Sequence, residues 1–253
     1  MSARVRLWVF LLACLCVVPA VIHVARRMPE FGAHPLPYGD AINARATRER
    51  HVTNMVSAVN FDYRGIDTLG EEFMLLCAVT GTTVLLRGTR PQPLADRPGQ
   101  VEGREVRPAS DAVVLICRMF GAAILVFGLY IALHAMTTPG GGFQGGVIIA
   151  SGFMLIYLGE GYRGWRGLMR PELLDAAEGA GATLYAVAGF AAMAAGLPFL
   201  TNFLPLGQPK DVFSGGLMLV ENVGVALAVA GGFAVLFVEF LKETRMEQNG
   251  EDS

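Results

Sequence analysis

Four carboxylates and an arginine crowd the start of an apolar stretch in "FDYRGIDTLGEEF", residues 61–73. Asp67 and Glu71 are four residues apart, so a continuous helix would place both carboxylates on one face. Such carboxylates repel each other unless a cation or a proton lies between them. Glu71, followed by Glu72, is therefore the strongest candidate for an ionisable group that functions within a membrane span. The alternative is a helix start, with Asp67 or Thr68 as N-cap and Glu71 in the first turn.

A second unusual stretch is "TTPGGGFQGG", residues 137–146, which places five glycines and a proline between two apolar runs. A phosphate-binding loop would need a preceding strand and a following Lys with Ser or Thr, and neither is present. Glycine permits either close helix packing or ion coordination by exposed carbonyl groups. The small residues Gly145, Gly146, Ser151 and Gly152 favour packing.

Three further polar residues lie in or beside apolar runs and are secondary candidates for function. Arg118 lies about two turns into its run and is expected to extend its guanidinium to the inner membrane surface. Glu221, with Asn222, is expected to bind a neighbouring helix or Arg118. His134 directly precedes the glycine stretch and is expected to be a satisfied polar group at the interface.

The composition indicates a membrane protein, because 53% of the residues are hydrophobic, only 17% are charged and the mean hydropathy is +0.46. The apolar runs predict an all-α integral membrane protein with about six transmembrane helices. The runs cover residues 7–24, 69–86, 112–136, 145–158, 179–200 and 215–241. Run 7–24 is also compatible with a cleaved signal peptide. The distribution of Lys and Arg between loops predicts a cell-membrane protein with both termini in the cytoplasm.

The run at 145–158 is too short to cross a membrane by itself, because its 14 residues would span about 21 Å of a hydrocarbon core of about 30 Å. If this helix crosses the membrane, the glycine stretch must either lie at membrane depth or extend the helix toward one surface. Irregular backbone at membrane depth is tolerated only where protein or a water-lined cavity satisfies its polar groups. We therefore expect the glycine stretch to be packed inside an assembly.

Several kinds of site are not expected. The four cysteines all fall in apolar runs and form neither a CxxC motif nor a Cys/His cluster, so we expect no metal site. There is no ligand pattern for haem, flavin or an iron–sulfur cluster, and no cofactor is expected. A basic tract with interleaved aromatics is also missing, which argues against nucleic-acid binding.

Both unusual stretches resemble one family. "TPGGGFQGGVIIASGFMLIYL" (138–158) resembles the signature of the MnhB- or MrpB-like subunit of Mrp-type multisubunit sodium/proton antiporters. "NFDYRGIDTLGEEFMLL" (60–76) resembles the end of the large MrpA-type subunit, an MbhE-like two-helix unit that also occurs separately in membrane-bound hydrogenases. The chain is thus similar to a fusion of two modules of two and four helices. The predicted segments are a two-helix module at 1–88, a polar linker at 89–110, a four-helix MnhB-like domain at 111–245 and a polar tail at 246–253.

The resemblance implies a non-enzymatic membrane subunit of a monovalent cation (Na⁺)/proton antiporter. Its implied partners are the large subunits A and D, the small subunits C, E, F and G, the lipid bilayer, Na⁺ and H⁺. The ion-translocation role falls on Glu71, with Asp67 and Glu72 beside it. The proline and phenylalanine that matter for activity correspond to Pro139 and Phe143. The motif glycines are Gly140, Gly141, Gly142, Gly145 and Gly146.

The sequence departs from the family pattern at two positions. Met136 stands where many members have a histidine, which argues against a proton role for the histidine. Glu72 stands where the family usually has an apolar or hydroxyl residue. Two other functions remain open: a membrane subunit of a redox-driven ion pump related to membrane-bound hydrogenase or respiratory complex I, and a structural scaffold whose carboxylates only cap helices.

Overall fold

The computed structural model describes residues 3–28, 37–88 and 110–251, and every regular element within these ranges is helical. The elements are α1 (Ala3–Ala25), α2 (Pro37–Arg50), α3 (Met55–Ala58), a π-helical turn (Val59–Tyr63), α4 (Gly65–Gly88), α5 (Asp111–Leu133), α6 (Gly142–Leu168), α7 (Pro171–Ala194) and α8 (Leu217–Glu251). The predicted all-helical membrane fold is confirmed.

The chain divides into two compact units, Met1–Asp40 and Ala41–Ser253. The first unit contains α1, whose large apolar side chains from Leu7 onward are exposed. The second unit contains α3 to α8. Helix α4, from the predicted two-helix module, therefore shares a compact unit with the helices of the predicted four-helix domain.

Five helices in the described part of the chain are long and apolar enough to cross a membrane. Their spanning segments are Leu7–Ala25, Gly65–Leu86, Asp111–Leu133, Gly142–Gly161 and Leu217–Phe240. The sixth predicted run, 179–200, differs from the structure, where α7 occupies Pro171–Ala194. Pro at the first position of a helix is favourable because its missing N–H group has no intrahelical partner. The first turns of α7 also contain Glu172, Asp175 and Glu178, which lower its hydropathy.

Helix α6 is longer than predicted. It begins at Gly142 and continues to Leu168, with a break at Gly161, where φ is 68°. The expected shortfall in length was wrong because Gly142 to Gly146 themselves form the first turns of the helix. Only the residues between α5 and Gly142 remain irregular backbone.

Two other predicted boundaries can be compared with the described residues. Helix α8 continues to Glu251, so the predicted tail from residue 246 is largely helical. The predicted linker lies outside the described residues except for Ser110. This serine is the N-cap of α5, where its hydroxyl oxygen accepts a hydrogen bond from the N–H of Val113 at 3.4 Å.

Helix α8 lies at the centre of the second unit and packs against α4, α6 and α7. Small residues let the backbones approach closely. An added Cβ at Gly181 on α7 would lie 2.3 Å from the carbonyl oxygen of Gly224 on α8. Helices α5 and α6 meet in the same way, since a Cβ at Gly145 would lie 2.7 Å from the carbonyl oxygen of Gly128. This is the close packing that small residues allow between membrane helices.

Gly145→Ala should lower the stability of the folded chain by about 1 to 3 kcal/mol, because the added methyl group overlaps α5. The matched control is Gly81→Ala, since a Cβ at Gly81 has nothing within 4 Å. Thermal unfolding of the purified full-length protein in detergent measures both effects. Equal unfolding midpoints for the two variants would show that α5 and α6 do not pack as described.

Candidate functional site

The carboxylate motif lies in the first turns of α4. The helix begins at Gly65, so Asp67 is already in its first turn. The alternative with an N-cap at Asp67 or Thr68 is therefore wrong. Thr68 is buried, and its hydroxyl donates a hydrogen bond to the carbonyl oxygen of Asn60 at 2.7 Å. This bond connects α4 to the π-helical turn that precedes it.

Asp67 and Glu71 lie on the outer face of α4. Asp67 forms an ion pair with Arg64, and its side chain is 44% exposed. Glu71 is also exposed on the surface of the chain. The two carboxylates predicted to share one face thus both point away from the interior of the second unit.

Glu72 lies on the opposite, buried face of α4. Its side chain is 1% exposed, and neither carboxylate oxygen has a hydrogen-bond partner among the described residues. The other buried residues on this face are Thr68, Val79 and Thr83. The adjacent residues Glu71 and Glu72 therefore lie on opposite faces of α4, with Glu71 on the exposed face and Glu72 on the buried face.

Three further buried carboxylates lie on the helices around α4, and one of them is Glu239 on α8, which is 2% exposed. Glu221 on α8 is fully buried, and neither of its oxygens has a hydrogen-bond partner in the described ranges. Glu178 on α7 is 6% exposed, and its Oε1 has no such partner there either. An added Cβ at Gly232 on α8 would lie 3.1 Å from Glu178 Oε1 and 3.1 Å from Val79 Cγ2, so the carboxylate lies where α4, α7 and α8 meet.

Glu178 was not predicted as a site residue, because the predicted span began one residue after it.

The sequence predicts that Glu221 and Asn222 bind a neighbouring helix or Arg118. Arg118 instead donates a hydrogen bond from Nε to Glu160 Oε1 at 2.5 Å, between α5 and α6, and its side chain is 60% exposed. The alternative of a neighbouring helix holds for Asn222, whose side chain is bonded to α5 and α6.

A polar pocket of about 440 Å³ lies at the end of the second unit where α4 and α8 begin. Asp62 lines this pocket and accepts hydrogen bonds from Arg50 Nε at 2.6 Å and from Asn202 Nδ2 at 3.3 Å. Asn202 also accepts the N–H of Leu217 through Oδ1 at 2.8 Å, which caps the start of α8. Asp62 and Asn202 thus place polar side chains beside the first residue of α8.

Tyr63 lies at the edge of the same pocket and donates its hydroxyl hydrogen to Glu49 Oε2 at 2.8 Å. Burial, followed by this hydrogen bond to Glu49, raises the pKa of Tyr63 to about 12. The phenol therefore stays protonated and continues to donate at neutral pH. The guanidinium carbon of Arg50 lies 5.4 Å from the centre of the Tyr63 ring.

The irregular backbone before α6 is held by a segment that precedes α3. Asn54 Nδ2 donates to the carbonyl oxygens of Ala135 at 2.8 Å and Thr138 at 2.9 Å. The Ser57 hydroxyl donates to the same Ala135 oxygen at 2.6 Å. The backbone N–H of Thr53 donates to the Met136 carbonyl at 3.1 Å. These bonds satisfy the carbonyl groups that a loop at membrane depth would otherwise leave without partners.

Asn222 on α8 holds the start of α6 and the end of α5. Its Oδ1 accepts the N–H of Gly142 at 2.7 Å, and its Nδ2 donates to the carbonyl oxygen of Ala132 at 2.8 Å. Asn222 is fully buried. One side chain therefore connects three helices at the glycine motif.

The residues of the glycine motif lie partly in the loop before α6 and partly in the first turns of α6. Pro139 and Gly140 lie in the loop, where Gly140 has a φ of 146° that an L-amino acid rarely adopts. Gly142 begins α6, and a Cβ there would lie 2.4 Å from the carbonyl oxygen of Asn222. Gly141 caps the helix, Phe143 packs against the buried core, and Gly146 faces Val229 on α8.

His134 ends α5 and does not reach the carboxylates described above. Its Nδ1 lies 3.0 Å from the carbonyl oxygen of Tyr130, and the His134 and Tyr130 rings are tilted by 31° with their centroids 4.1 Å apart. Met136, which occupies the position of the family histidine, is fully buried. Within the described ranges, no group of three or more His, Cys, Asp or Glu residues could hold a metal ion.

A protein family described as a domain related to the MnhB subunit of the Na⁺/H⁺ antiporter matches residues 112–235. The B subunit of the Na⁺/H⁺ antiporter of Bacillus subtilis is 37% identical over 113 residues, which cover 43% of this chain and 76% of that protein. A probable A/B subunit of a K⁺/H⁺ antiporter of Rhizobium meliloti is 30% identical over 212 residues. That alignment covers 77% of this chain but only 21% of the longer relative.

Two solved membrane complexes contain chains of similar fold. A chain of the Mrp complex from Dietzia sp. is 25% identical with a TM-score of 0.69, and the match covers 97% of this chain and 27% of that one. A chain of the membrane-bound sulfane sulfur reductase, an archaeal respiratory complex, is 26% identical with a TM-score of 0.67. This second match covers 94% of this chain and 98% of that one.

Asn54→Ala should destabilise the protein by about 2 kcal/mol, because it leaves loop carbonyl groups without a donor inside the bundle. Asn43→Ala is the matched control, since Asn43 is exposed on α2. Thermal unfolding in detergent measures the difference. If both variants unfold at the wild-type temperature, the loop does not depend on Asn54.

Proposed function

The chain belongs to the family of domains related to the MnhB subunit of the Na⁺/H⁺ antiporter, and on that basis we propose that it is a membrane component of a multisubunit monovalent cation/proton antiporter. The observation that carries the proposal is the 37% identity to the B subunit of a Na⁺/H⁺ antiporter, of which 76% is covered. The likeness to a chain of the Mrp complex supports the same function.

The chain combines two modules in this proposal. Residues 111–245 form the MnhB-like domain, and residues 1–88 form a two-helix, MbhE-like module that corresponds to the end of the large MrpA-type subunit. The alignment with the Rhizobium meliloti relative supports this division, because its 212 residues extend well beyond the family match at 112–235. Residues 89–110 connect the modules.

Glu71 is the proposed contact with the ion path. It lies with Asp67 on the outer face of α4, in a segment that is apolar enough to span the membrane. A carboxylate facing lipid is costly, so this face is expected to contact a neighbouring subunit or a water-filled cavity. The cation or proton would pass between Glu71 and that neighbour.

The glycine motif positions this carboxylate face. Through Asn222 the start of α6 is fixed to α8, and α8 packs against α4. Replacing Pro139 or Phe143 would change the position of α8 and, through it, the carboxylates of α4. The motif therefore acts on transport through packing, and the carbonyl oxygens of Thr138 and Gly140 lie within hydrogen-bond distance of Asn54 Nδ2.

The complex is proposed to reside in the plasma membrane with both termini of this chain in the cytoplasm. Its other members would be the large subunits A and D and the small subunits C, E, F and G. The names of the relatives include both Na⁺ and K⁺ antiporters, so the carried cation is taken as monovalent, with Na⁺ preferred. The chain itself would act as a transporter component and catalyse no reaction.

A second function is supported by a specific observation. The chain resembles, over 94% of its length, a chain of a respiratory complex that is a sulfane sulfur reductase. The same helices would then move ions in response to electron transfer in other subunits. Mass spectrometry of the proteins that co-purify with the tagged chain separates the two functions, because iron–sulfur proteins are expected only for the redox complex.

Glu71→Gln should abolish cation/proton antiport in everted membrane vesicles, measured by the quenching of a pH-sensitive dye. The amide has the same shape but can neither bind a proton at neutral pH nor carry a charge. Blue native electrophoresis should show an intact complex, since Glu71 is exposed on the chain. Glu172→Gln, an exposed change in the first turn of α7, is the control and should transport normally. Wild-type antiport by Glu71→Gln would remove Glu71 from the ion path.

A further inference from the structure

Four glutamates that the proposed function does not use are buried: Glu72, Glu178, Glu221 and Glu239. Three of them, Glu221, Glu72 and Glu178, have carboxylate oxygens without hydrogen-bond partners in the described part of the chain. They lie on α8, α4 and α7 respectively, and we refer to them together as the buried carboxylate row. Their order in space follows from how the three helices pack.

The row begins near the polar pocket. Helices α4 and α8 both start there, since Gly65 and Asn202 line the pocket and Asn202 caps α8. Glu221 lies about one turn into α8, whose first residue, Leu217, is hydrogen-bonded to Asn202 of the pocket. Glu221 is therefore the member of the row nearest to the pocket.

Tyr185 on α7 lies at the pocket end of the row. Its hydroxyl is buried and donates to the carbonyl oxygen of Gly65, a residue that lines the pocket, at 2.8 Å. The phenol thus lies where the beginning of α4 approaches α7.

Glu178 is the member farthest from the pocket. It packs beside Gly231 and Gly232 on α8, about 15 Å along the helix axis from Glu221 at 1.5 Å per residue. Val79 on α4 lies at the same level, and Glu72 is seven residues earlier, about 10 Å closer to the pocket.

Buried carboxylates without partners cannot remain charged in an apolar interior at low cost. Both oxygens of Glu72 and Glu221 and one oxygen of Glu178 lack hydrogen-bond partners in the described part of the chain. An uncompensated buried charge costs several kcal/mol or more, so each group must hold a proton or a cation. Because the described residues contain no group of three or more His, Cys, Asp or Glu that could hold a metal ion, a proton fits the row better.

We propose that Glu221, Glu72 and Glu178 bind protons and form a proton pathway from the Asp62 pocket into the bundle, separate from Glu71. In each transfer one member of the row is ionised and accepts a proton: an O–H bond of the neighbouring carboxyl group breaks, one forms on the ionised carboxylate, and water carries the proton between them, so that one positive charge moves and no electrons are exchanged. The other titratable groups near the row are Asp62, Glu71, Asp175 and Tyr185.

Infrared difference spectroscopy in H₂O and D₂O tests whether these carboxyl groups are protonated. The sample is the intact complex containing the full chain, reconstituted in lipid at neutral pH. Glu72→Gln and Glu178→Gln should each remove one carboxylic-acid C=O band, while the exposed control Glu172→Gln should remove none. Glu72→Asp should keep a band at a shifted frequency, which separates loss of the proton site from loss of the fold.

Three results would overturn the proposal. If neither glutamine variant removes a carboxylic-acid band, the groups are ionised and the row does not store protons. If Na⁺ or K⁺ added at constant pH removes the wild-type bands, the row binds a cation in place of the proton. With the bands assigned, Glu72→Gln should also slow proton-coupled antiport, and an unchanged rate would remove the row from the pathway.

Proton binding by the buried carboxylate row rests on the proposed antiporter function, but the two are tested by different measurements. The infrared bands report proton binding whether or not the complex exchanges cations. Intact bands with no antiport in the wild-type complex would contradict the antiporter assignment only. Normal antiport with no assignable bands would contradict the proton row only.

Discussion

The fold depends on satisfying the polar backbone groups of the loop between α5 and α6 inside the helix bundle. Asn54 and Ser57 supply donors to the loop carbonyls, and Asn222 binds both the first N–H of α6 and a carbonyl at the end of α5. Buried backbone groups without partners are costly, so these bonds fix where α5 ends and α6 begins. They also hold α8 against both helices, and α8 is the element around which α4 and α7 pack.

This arrangement gives the two adjacent glutamates of α4 different surroundings. Successive residues on an α-helix differ in direction by about 100°, because the helix has about 3.6 residues per turn. Glu71 therefore reaches the outer surface, where a neighbouring subunit can complete an ion path, while Glu72 enters the bundle beside α7 and α8. Two adjacent glutamates thus place one carboxylate on the outer face of α4 and one inside the bundle. Small residues on α7 and α8 allow these helices to approach closely enough to enclose the buried carboxylates.

The membrane class and most of the helices could be predicted from apolar runs, because span length is set by the thickness of the bilayer. The shared face of Asp67 and Glu71 followed from helical periodicity. The start of α6 could not be predicted, since it depends on a bond to Asn222, which is 80 residues away in sequence. The burial of Glu178 was missed for a similar reason: only the contact with Gly231 and Gly232 shows that its turn of α7 lies inside the bundle.

The proposed role of this chain in transport requires that the Glu71 face of α4 contacts another subunit of an antiporter complex. A photocrosslinking amino acid at position 71, activated in native membranes and followed by mass spectrometry of the products, tests this contact directly. We expect a crosslink to a polytopic antiporter-like subunit. Crosslinks to lipid alone, with the complex intact, would contradict the contact, and a crosslink to a component of an electron-transfer complex would favour the redox-driven pump.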